Sequence, residues 1–358
     1  MHDLDICIAG GGVIGLSLAL ELHRRGLSVT VLEQGQPLSE ASTAAAGMLA
    51  ASDPDNPAAL RKLSDLSLSL YPAFLDRLHE LSGIRVPFHT SATLQAHLAP
   101  PSNELSTEAL ADALPQLTSN NRHFTLIDER SLDPRHLAEA VLAAVRATSI
   151  DLRTGTRVLS VQSVGDSVEV QTSTGAFHAA RFINCTGAWA SQSSLAPGLA
   201  IAPRKGQMLA VALPPSLPLN LVLRTHGMYI VPRTTGPHAG RAIIGATIED
   251  AGFDKTVHSK DIAHLRSLAN AFLPALSEAR QLEAWAGLRP SSPDGLPFLG
   301  AMPESRNHFV AAGHYRNGIL LTPATAHIMA QLLADESPSI DLADYSPSRP
   351  LPSSPIAQ

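Results

Sequence analysis

The chain has 358 residues, of which 44% are hydrophobic and 16% are charged, and its formal net charge is -6. A chain of this length is longer than the chains that usually fold around a single hydrophobic core, so two domains are expected. The acidic balance and the lack of a long basic run argue against partners such as nucleic acid or an anionic membrane.

The first predicted unit is a strand, a glycine turn, a helix and a second strand. In order, it comprises the apolar run from Ile6, the pattern Gly10-x-Gly12-x-x-Gly15, a helix beginning near Val13, a strand from Ser28 to Leu32, and then Glu33. The glycines permit a tight turn, close approach of a pyrophosphate and close packing of the helix. Phosphate would meet the positive end of that helix. The acid is placed to bind ribose hydroxyls and to repel a 2′-phosphate. The unit therefore predicts a bound dinucleotide, with an ordinary glycine-rich turn as the alternative.

The apolar stretch from Ile6 to Leu22 is not expected to be a signal peptide, because acidic residues precede it and glycines interrupt it. No other stretch of the sequence has the apolar length of a membrane span. A cytoplasmic location is therefore expected. Cys7 and Cys185 fall in apolar, strand-like runs, which predicts that both are buried without a catalytic or disulfide role.

The segments that follow carry loop and helix signals. Small residues from Ser39 to Met48 could bring backbone N–H groups close to a ligand, with a simple tight loop as the alternative. Apolar residues at helical spacing predict a helix over Leu60 to Leu81. The Pro-, Ser- and Asn-rich stretch from Pro100 to Arg122 predicts a surface excursion. Asp133 as cap, with proline in the first turn, predicts a helix to about Ala147.

Strand-like runs dominate the middle of the chain. Strands are predicted over Arg157 to Thr172 and Ala179 to Asn184, and the second leads to Thr186-Gly187, where backbone could meet the cofactor again. Short runs between Ile201 and Thr247, broken by proline and glycine, predict an antiparallel sheet. Helical spacing returns over Ile262 to Phe272.

The C-terminal part repeats the strand, glycine turn and helix. A strand from Phe309 to Ala312 leads through the turn Gly313 to Gly318 into a helix from Ile319 to Leu333. This unit could complete the nucleotide site from the other end of the chain. The Pro- and Ser-rich residues 337–358 predict a flexible tail. Trp189 and Trp285 are interpreted as core residues.

These residues together resemble the FAD-dependent D-amino acid oxidase family, and most closely its glycine oxidase branch, which is associated with thiamine biosynthesis. The matching blocks, in family order, are IAGGGVIGLSLALEL with Glu33, AAAGMLA at 44–50, DPRHL at 133–137, NCTGAWA at 184–190, YIVPR at 229–233, WAGLRPSSPDGLPFLG at 285–300 and GHYRNGILLTPATA at 313–326. They span nearly the whole chain.

The resemblance implies an α/β fold class. The chain as a whole would be a two-domain α+β protein. A discontinuous, Rossmann-like FAD-binding domain is expected from residues 1–80, 136–200 and 285–335. A substrate domain built on an antiparallel sheet is expected from residues 81–135 and 201–284. Relatives also suggest a homo-oligomer, specifically a tetramer.

The resemblance and the glycine patterns together assign the contacts of a non-covalent FAD. The predicted cofactor-binding residues are Gly10, Gly12, Val13, Ile14, Gly15, Glu33, Gln34, Ser42, Ala46, Gly47, Met48, Val158, Thr186, Gly187, His314, Tyr315, Arg316, Asn317, Gly318, Ile319 and Leu320. No metal site is expected, because the histidines lack metal-ligand spacing.

The resemblance also implies substrate contacts at Arg289, Tyr229 and Arg316. The planar fork of Arg289 suits a carboxylate, since it can bind both oxygens and fix the Cα–H bond over the flavin. Without the resemblance, a surface ion pair is the better interpretation of Arg289, and Tyr229 reads as a packing residue. Arg316 could merely bind a neighbouring carboxylate. No general base is assigned, because hydride transfer needs none.

The leading hypothesis is oxidation of glycine, and of small amines such as sarcosine or D-alanine, by FAD and O2. Hydrogen peroxide and an imine would form, and the imine would supply thiazole synthesis or hydrolyse to glyoxylate. Three alternatives stay open: a flavin dehydrogenase that passes electrons to a quinone or partner, a non-catalytic flavin-binding protein, and an NAD-dependent dehydrogenase.

Overall fold

The computed structural model describes residues 4–192, 195–196, 198–303 and 305–352. Its strands are β1 (Leu4–Ala9), β2 (Val29–Leu32), β3 (Phe88–Thr90), β4 (Thr93–His97), β5 (His123–Ile127), β6 (Ser131–Leu132), β7 (Asp151–Arg153), β8 (Val158–Val164), β9 (Ser167–Thr172), β10 (Gly175–Asn184), β11 (Ala202–Ala212), β12 (Val222–Arg224), β13 (Tyr229–Arg233), β14 (Arg241–Gly245), β15 (Gln281–Ser291), β16 (Phe298–Ala301) and β17 (His308–Ala312). Its helices are α1 (Val13–Arg24), α2 (Ala41–Ala44), α3 (Arg61–Ser82), α4 (Thr107–Ala113), α5 (Pro134–Arg146), α6 (Ser259–Phe272) and α7 (Gly318–Leu333).

The first sheet is the predicted nucleotide-binding sheet. Its path runs β16-β17-β10-β1-β2-β7, and the pairs from β17 to β7 are parallel. The central strand β1 places Ile8 beside Ile183 on one neighbour and Val31 on the other. Strands from the N-terminal, middle and C-terminal parts of the chain therefore lie side by side, which confirms the α/β fold.

Both faces of this sheet are covered. Helices α1, α3, α5 and α7 share one core cluster with Ile6 and Ile8 of β1. The β8–β9 hairpin covers the other face, where Cys7 packs with Val168 and Phe182. Both cysteines are buried, and burial raises the pKa of the Cys7 thiol to about 12. Of the helices in the described residues, none has the length and apolarity needed to cross a membrane.

Local sequence signals account for the start of α5. The Asp133 side chain accepts a hydrogen bond from the backbone N–H of Arg135 at 3.0 Å, and Pro134 occupies the first turn. The cap satisfies one of the backbone donors that a helix leaves free at its N-terminus. The helix predicted from this cap is confirmed.

The second sheet has seven strands in the order β15-β11-β14-β13-β12-β4-β5. Its neighbours are antiparallel except for the parallel pair β12 and β4, so the predicted antiparallel sheet is present. Helix α6 packs on one face through Ile262, Leu265 and Phe272. Strand β15 belongs to this sheet along its whole length, so the sheet continues beyond the predicted domain boundary at residue 285.

The described part of the predicted tail, residues 337–352, packs against the core of the first sheet. Tyr345 is 2% exposed and its hydroxyl donates to the carbonyl of Ala59 at 2.6 Å. Arg349 pairs with Asp294 at 2.7 Å. The expectation of a flexible tail is therefore wrong for these residues. It rested on composition, which does not reveal that two of their side chains are buried. Residues 353–358 lie outside the described residues.

Candidate active site

A long cleft lies between the two sheets, with about 1850 Å³ of empty space that is partly open to solvent. Nearly all of the predicted site residues line it, and they come from distant parts of the chain. These are Gly10, Gly12, Val13, Ile14, Glu33, Gln34, Ser42, Ala46, Gly47, Met48, Val158, Thr186, Gly187, Tyr229, Arg289, His314, Tyr315, Arg316, Asn317, Gly318 and Ile319.

Two predicted cofactor residues, Gly15 and Leu320, do not line the cleft. A Cβ on Gly15 would lie 2.1 Å from the carbonyl oxygen of Gly10, so this glycine lets α1 pack against the turn. Leu320 is 1% exposed within the first core, and its carbonyl accepts a hydrogen bond from Ser67. Both residues support the cleft from behind.

The glycine turn after β1 needs its first glycine for two reasons. Gly10 has a φ of +106°, a backbone conformation that side chains disfavour. A Cβ there would also lie 2.5 Å from the carbonyl oxygen of Cys185, the residue directly after the neighbouring strand β10. The N-terminus of α1 lies directly after this turn, and the N–H of Val13 donates to the Ser42 hydroxyl at 2.9 Å. The turn and the helix end thus form one wall of the cleft.

Glu33 is oriented by two backbone donors. Its carboxylate accepts hydrogen bonds from the N–H of Gly11 at 2.7 Å and of Gly35 at 2.8 Å, one on each oxygen. Each carboxylate oxygen can accept a further bond, so the side chain keeps the capacity to bind ribose hydroxyls. Its position at the end of β2 matches the role that its sequence position predicts.

The segment that begins at the last residue of α2 forms another wall. Ala44, Ala45, Ala46, Gly47 and Met48 all line the cleft. Gly47 has a φ of +85°, and a Cβ there would lie 2.0 Å from the carbonyl oxygen of Leu132. The side of the segment away from the cleft therefore packs tightly against the backbone near Leu132. The side that faces the cleft presents mostly small side chains, as close approach of a ligand requires.

Arg289 reaches the cleft from β15 and lies across Gly206 of the paired strand β11. One of its terminal nitrogens donates to the carbonyl of Thr247 at 3.1 Å. A Cβ on Gly206 would lie 2.3 Å from both terminal nitrogens, so this glycine makes the space that the guanidinium occupies. The half-buried guanidinium has five N–H donors, which leaves several for a carboxylate.

Tyr229 lies on the same face of the sheet. Strand pairing places it opposite Gly245, where a Cβ would lie 2.6 Å from the tyrosine hydroxyl. Burial raises the pKa of the Tyr229 hydroxyl, although the charges of Arg289 and Arg316 act against that rise. The hydroxyl therefore stays protonated at neutral pH and can donate a hydrogen bond.

Arg316 lines the cleft but is paired with carboxylates. Its guanidinium donates to Asp53 at 2.9 Å and to Asp55 at 3.4 Å. These carboxylates raise the pKa of Arg316 despite the opposing effect of burial. Arg316 thus binds neighbouring carboxylates, which was the alternative to a substrate contact. Its role in binding substrate stays a prediction.

His314, at the C-terminal glycine turn, is held in the protein interior. It is 3% exposed and its Nε2 lies 3.0 Å from the Thr325 hydroxyl. Burial lowers the pKa of His314 to about 3, so the ring is neutral at physiological pH. The next residue, Tyr315, has a positive φ of 44°, and its N–H donates to the carbonyl of Pro290. This bond joins the turn to the end of β15.

Several cleft residues were absent from the sequence prediction. The main ones are Asp53, Thr156, Arg157, Trp189, Met208 and Gly287. Trp285 is half-buried and packs against a hydrophobic cluster, in line with its interpretation as a core residue, whereas the half-buried Trp189 lies against Phe253, which is 41% exposed, so the same interpretation does not hold for Trp189. Met208 could have been found only from the register that places it opposite Gly245 and Trp285. Asp53 carried a weak local signal, since it closely follows the small-residue segment.

The sequence model of one family, described as DAO: FAD dependent oxidoreductase, matches residues 5–332. The chain belongs to the FAD-dependent D-amino acid oxidase family. It is therefore an FAD-dependent oxidoreductase, which confirms the enzyme class and the cofactor.

Similarity over nearly the whole of this chain extends to two curated relatives and to a solved structure. The chain is 32% identical to a glycine oxidase of Geobacillus kaustophilus, over 97% of each protein. It is 36% identical to a bifunctional protein ThiO/ThiG of Trichormus variabilis, over 96% of this chain and 55% of that protein. A crystal structure of glycine oxidase from Geobacillus kaustophilus superposes with a TM-score of 0.91 at 31% identity, covering 98% of this chain and 100% of that one.

The residues of the cleft fit FAD. Gly10 and Gly47 leave room where a Cβ would collide with backbone, and Glu33 is already oriented by backbone donors. Ser42 fixes the N-terminus of α1, the end that favours phosphate. The individual FAD contacts and the non-covalent attachment stay predictions.

Proposed function

We propose that the protein oxidises glycine, and small amines such as sarcosine or D-alanine, with O2 as the electron acceptor. The observation that carries the proposal is the pair of donors, Arg289 and Tyr229, on one face of the antiparallel sheet where it borders the FAD cleft. A carboxylate bound by both donors would place the neighbouring amine carbon at the cleft. The relatives named glycine oxidase support the same substrate class.

In the proposed reaction the chain binds and orients the amino acid. Arg289 can hold both carboxylate oxygens, because its guanidinium is planar and one of its outer nitrogens is already fixed by its hydrogen bond to the carbonyl of Thr247. Tyr229 adds a neutral hydroxyl donor. When bound in the cleft, FAD would supply the hydride acceptor and the means by which two electrons reach O2. The amine loses one hydride and one proton to become an imine, and O2 with two protons becomes hydrogen peroxide.

No general base is assigned to the proton that leaves the amine. His314 is neutral, but it is buried and bonded to Thr325, so its ring is committed to helix α7. Tyr229 keeps its proton at neutral pH because burial raises its pKa. The substrate must therefore bind as the neutral amine or lose its proton to solvent. The enzyme contributes mainly positioning and charge.

The imine is proposed to supply thiamine thiazole synthesis in the cytoplasm, and otherwise to hydrolyse to glyoxylate and ammonia. The similarity to ThiO/ThiG supports this pathway, because that protein joins a ThiO part and a ThiG part in one chain. A tetramer is proposed on family grounds. Light scattering of the purified protein would measure its mass.

The deciding experiment is an anaerobic titration of the flavin absorbance with glycine, sarcosine and D-alanine. Bleaching of the flavin band, followed by recovery and peroxide formation when air is admitted, is the expected result. Bleaching with recovery only by a dye would favour a dehydrogenase. Failure of all three amines to bleach the flavin would refute the proposal and favour a non-catalytic role.

The assignment of Arg289 has its own test. Arg289→Ala should retain FAD, because the arginine lies on the substrate face of the cleft, while the glycine concentration needed for half-maximal bleaching rises at least tenfold. Tyr229→Phe removes a single neutral donor and should raise it less. An Arg289→Ala protein with near wild-type glycine affinity would show that the carboxylate binds elsewhere.

A further inference from the structure

The antiparallel sheet makes three contacts with one segment of the FAD cleft, Ala44–Ala46. The indole N–H of Trp285 donates to the carbonyl of Ala44 at 3.1 Å. The guanidinium of Arg233 donates to the carbonyl of Ala46 at 2.8 Å. Gly287 faces the same segment, and a Cβ there would lie 2.5 Å from the Cβ of Ala44. All three alanines line the cleft.

This segment needs outside donors to keep its shape. Helix α2 ends at Ala44, so its last carbonyls have no intrahelical partner. The side chains of the segment are methyl groups, which can neither accept nor donate hydrogen bonds. Trp285 and Arg233 supply donors to alternate carbonyls, and Gly287 allows the sheet to come close enough for both.

Arg233 is itself rigidly held. Its side chain is 3% exposed, and its Nε lies 3.7 Å from a carboxylate oxygen of Asp133. The same carboxylate caps α5 through the N–H of Arg135 and pairs with His238. Burial lowers the pKa of Arg233 to about 10, so the guanidinium remains charged at neutral pH. Arg233 is therefore a charged donor in a fixed position, and charge-assisted hydrogen bonds are the stronger kind.

Trp285 is held on its ring face. The guanidinium of Arg135 lies 4.7 Å from the ring centroid, and the same arginine pairs with Glu283 at 2.6 Å. The stacking keeps the ring in one orientation while its N–H points at the Ala44 carbonyl. Both donors thus belong to one connected group of side chains that reaches from α5 to the FAD cleft.

We propose that Arg233 and Trp285 are positioning residues for FAD, acting through the backbone of Ala44–Ala46. Neither side chain needs to touch the substrate for this role. The substrate domain then contributes to cofactor affinity, and the two domains are coupled at this segment. The inference rests on FAD as the cofactor and is independent of whether glycine is the substrate.

The test measures FAD affinity directly. Trp285→Phe keeps an aromatic ring but removes the indole N–H together with the five-membered ring, and Arg233→Met keeps most of the length of the side chain and deletes its charge and donors. Arg349→Met is the matched control, because Arg349 is a similarly buried arginine that binds Asp294 and the carbonyl of Leu296 away from the cleft. Each holoenzyme is diluted and the rise in free-flavin fluorescence gives the FAD dissociation constant. Thermal unfolding is recorded in parallel.

The FAD dissociation constant should rise about 3- to 10-fold in Trp285→Phe and about 10-fold or more in Arg233→Met, since a buried carbonyl loses its donor in each. The double variant should show less than the product of the two effects, because both donors hold one segment. Arg349→Met should lower the unfolding temperature and leave FAD affinity unchanged. Unchanged affinity in Trp285→Phe, or an equal loss in Arg349→Met, would overturn the proposal. If Arg233→Met fails to fold, Trp285→Phe decides alone.

Discussion

Replacing Gly206 by alanine should damage substrate binding far more than stability. The new Cβ would lie 2.3 Å from both terminal nitrogens of Arg289, whereas ordinary contact begins near 3.4 Å. The guanidinium must therefore move by about 1 Å, and a displacement of about 1 Å can cost about 100-fold in rate. That corresponds to about 2.7 kcal/mol in kcat/KM for glycine. The strand itself accepts alanine, because the backbone of Gly206 is not left-handed.

Initial rates of peroxide formation over a range of glycine concentrations would test this prediction. The matched control is Gly227→Ala, because a Cβ there meets nothing within 4 Å and Gly227 lies only two residues before Tyr229. The control should keep kcat/KM within about twofold. Thermal unfolding should show both variants close to wild type, since Gly→Ala also stabilises a protein by about 0.4–1 kcal/mol through the lower entropy of its unfolded chain. A Gly206→Ala enzyme with kcat/KM within threefold of wild type would refute the assigned position of Arg289.

Two further predictions concern stability. Asp53→Asn should lower the free energy of unfolding by about 1.5–3 kcal/mol, because a buried carboxylate that binds Arg316 at 2.9 Å loses its charge. Chemical denaturation of the holoenzyme measures the change. Asp55→Asn, at a more exposed partner 3.4 Å from the same arginine, should cost less than about 1 kcal/mol; equal losses would contradict the reasoning. Acid should destabilise the protein through His314, whose pKa falls from 6.5 to about 3 on folding. Below about pH 6.5 the unfolded chain takes up a proton that the folded protein does not, so stability is lost progressively between pH 6.5 and 3, by up to about 1.4 kcal/mol per pH unit. Thermal unfolding at pH 7 and pH 5 should show a smaller loss in His314→Asn than in wild type, and identical losses would exclude this histidine as a source.

The nucleotide-binding half of the fold was predictable because its signals are local. The glycines from Gly10 onward, the helix after them and Glu33 lie within one short stretch, so spacing alone fixes their relation. The cap of α5 at Asp133 is similarly local. Where a residue's role depends only on its near neighbours in the chain, the sequence was sufficient to place it.

Other features depend on partners far away in the chain. Arg316 pairs with Asp53, which is 263 residues earlier, and nothing near either residue in the sequence indicates the pair. Tyr345 packs with its hydroxyl on Ala59, 286 residues away, so the Pro- and Ser-rich composition around it led to the wrong expectation of flexibility. Gly15 is the third glycine of the pattern but lies behind the cleft, because this glycine serves the packing of the helix and not the approach of a ligand.

The substrate face of the antiparallel sheet shows why register matters most. Gly206, Gly245 and Gly287 lie on the three adjacent strands β11, β14 and β15, and each leaves the space of a missing side chain. Those spaces are filled by the Arg289 guanidinium, by the Tyr229 hydroxyl with Met208, and by Ala44 of the FAD cleft. Gly206 and Gly287 are directly paired and Gly245 is opposite Met208, so three glycines on one face set the depth of both donors and the distance between the sheet and the cofactor segment. Because an added methyl group at these positions would first meet Arg289, Tyr229 with Met208, or Ala44, it should act on binding before it acts on stability.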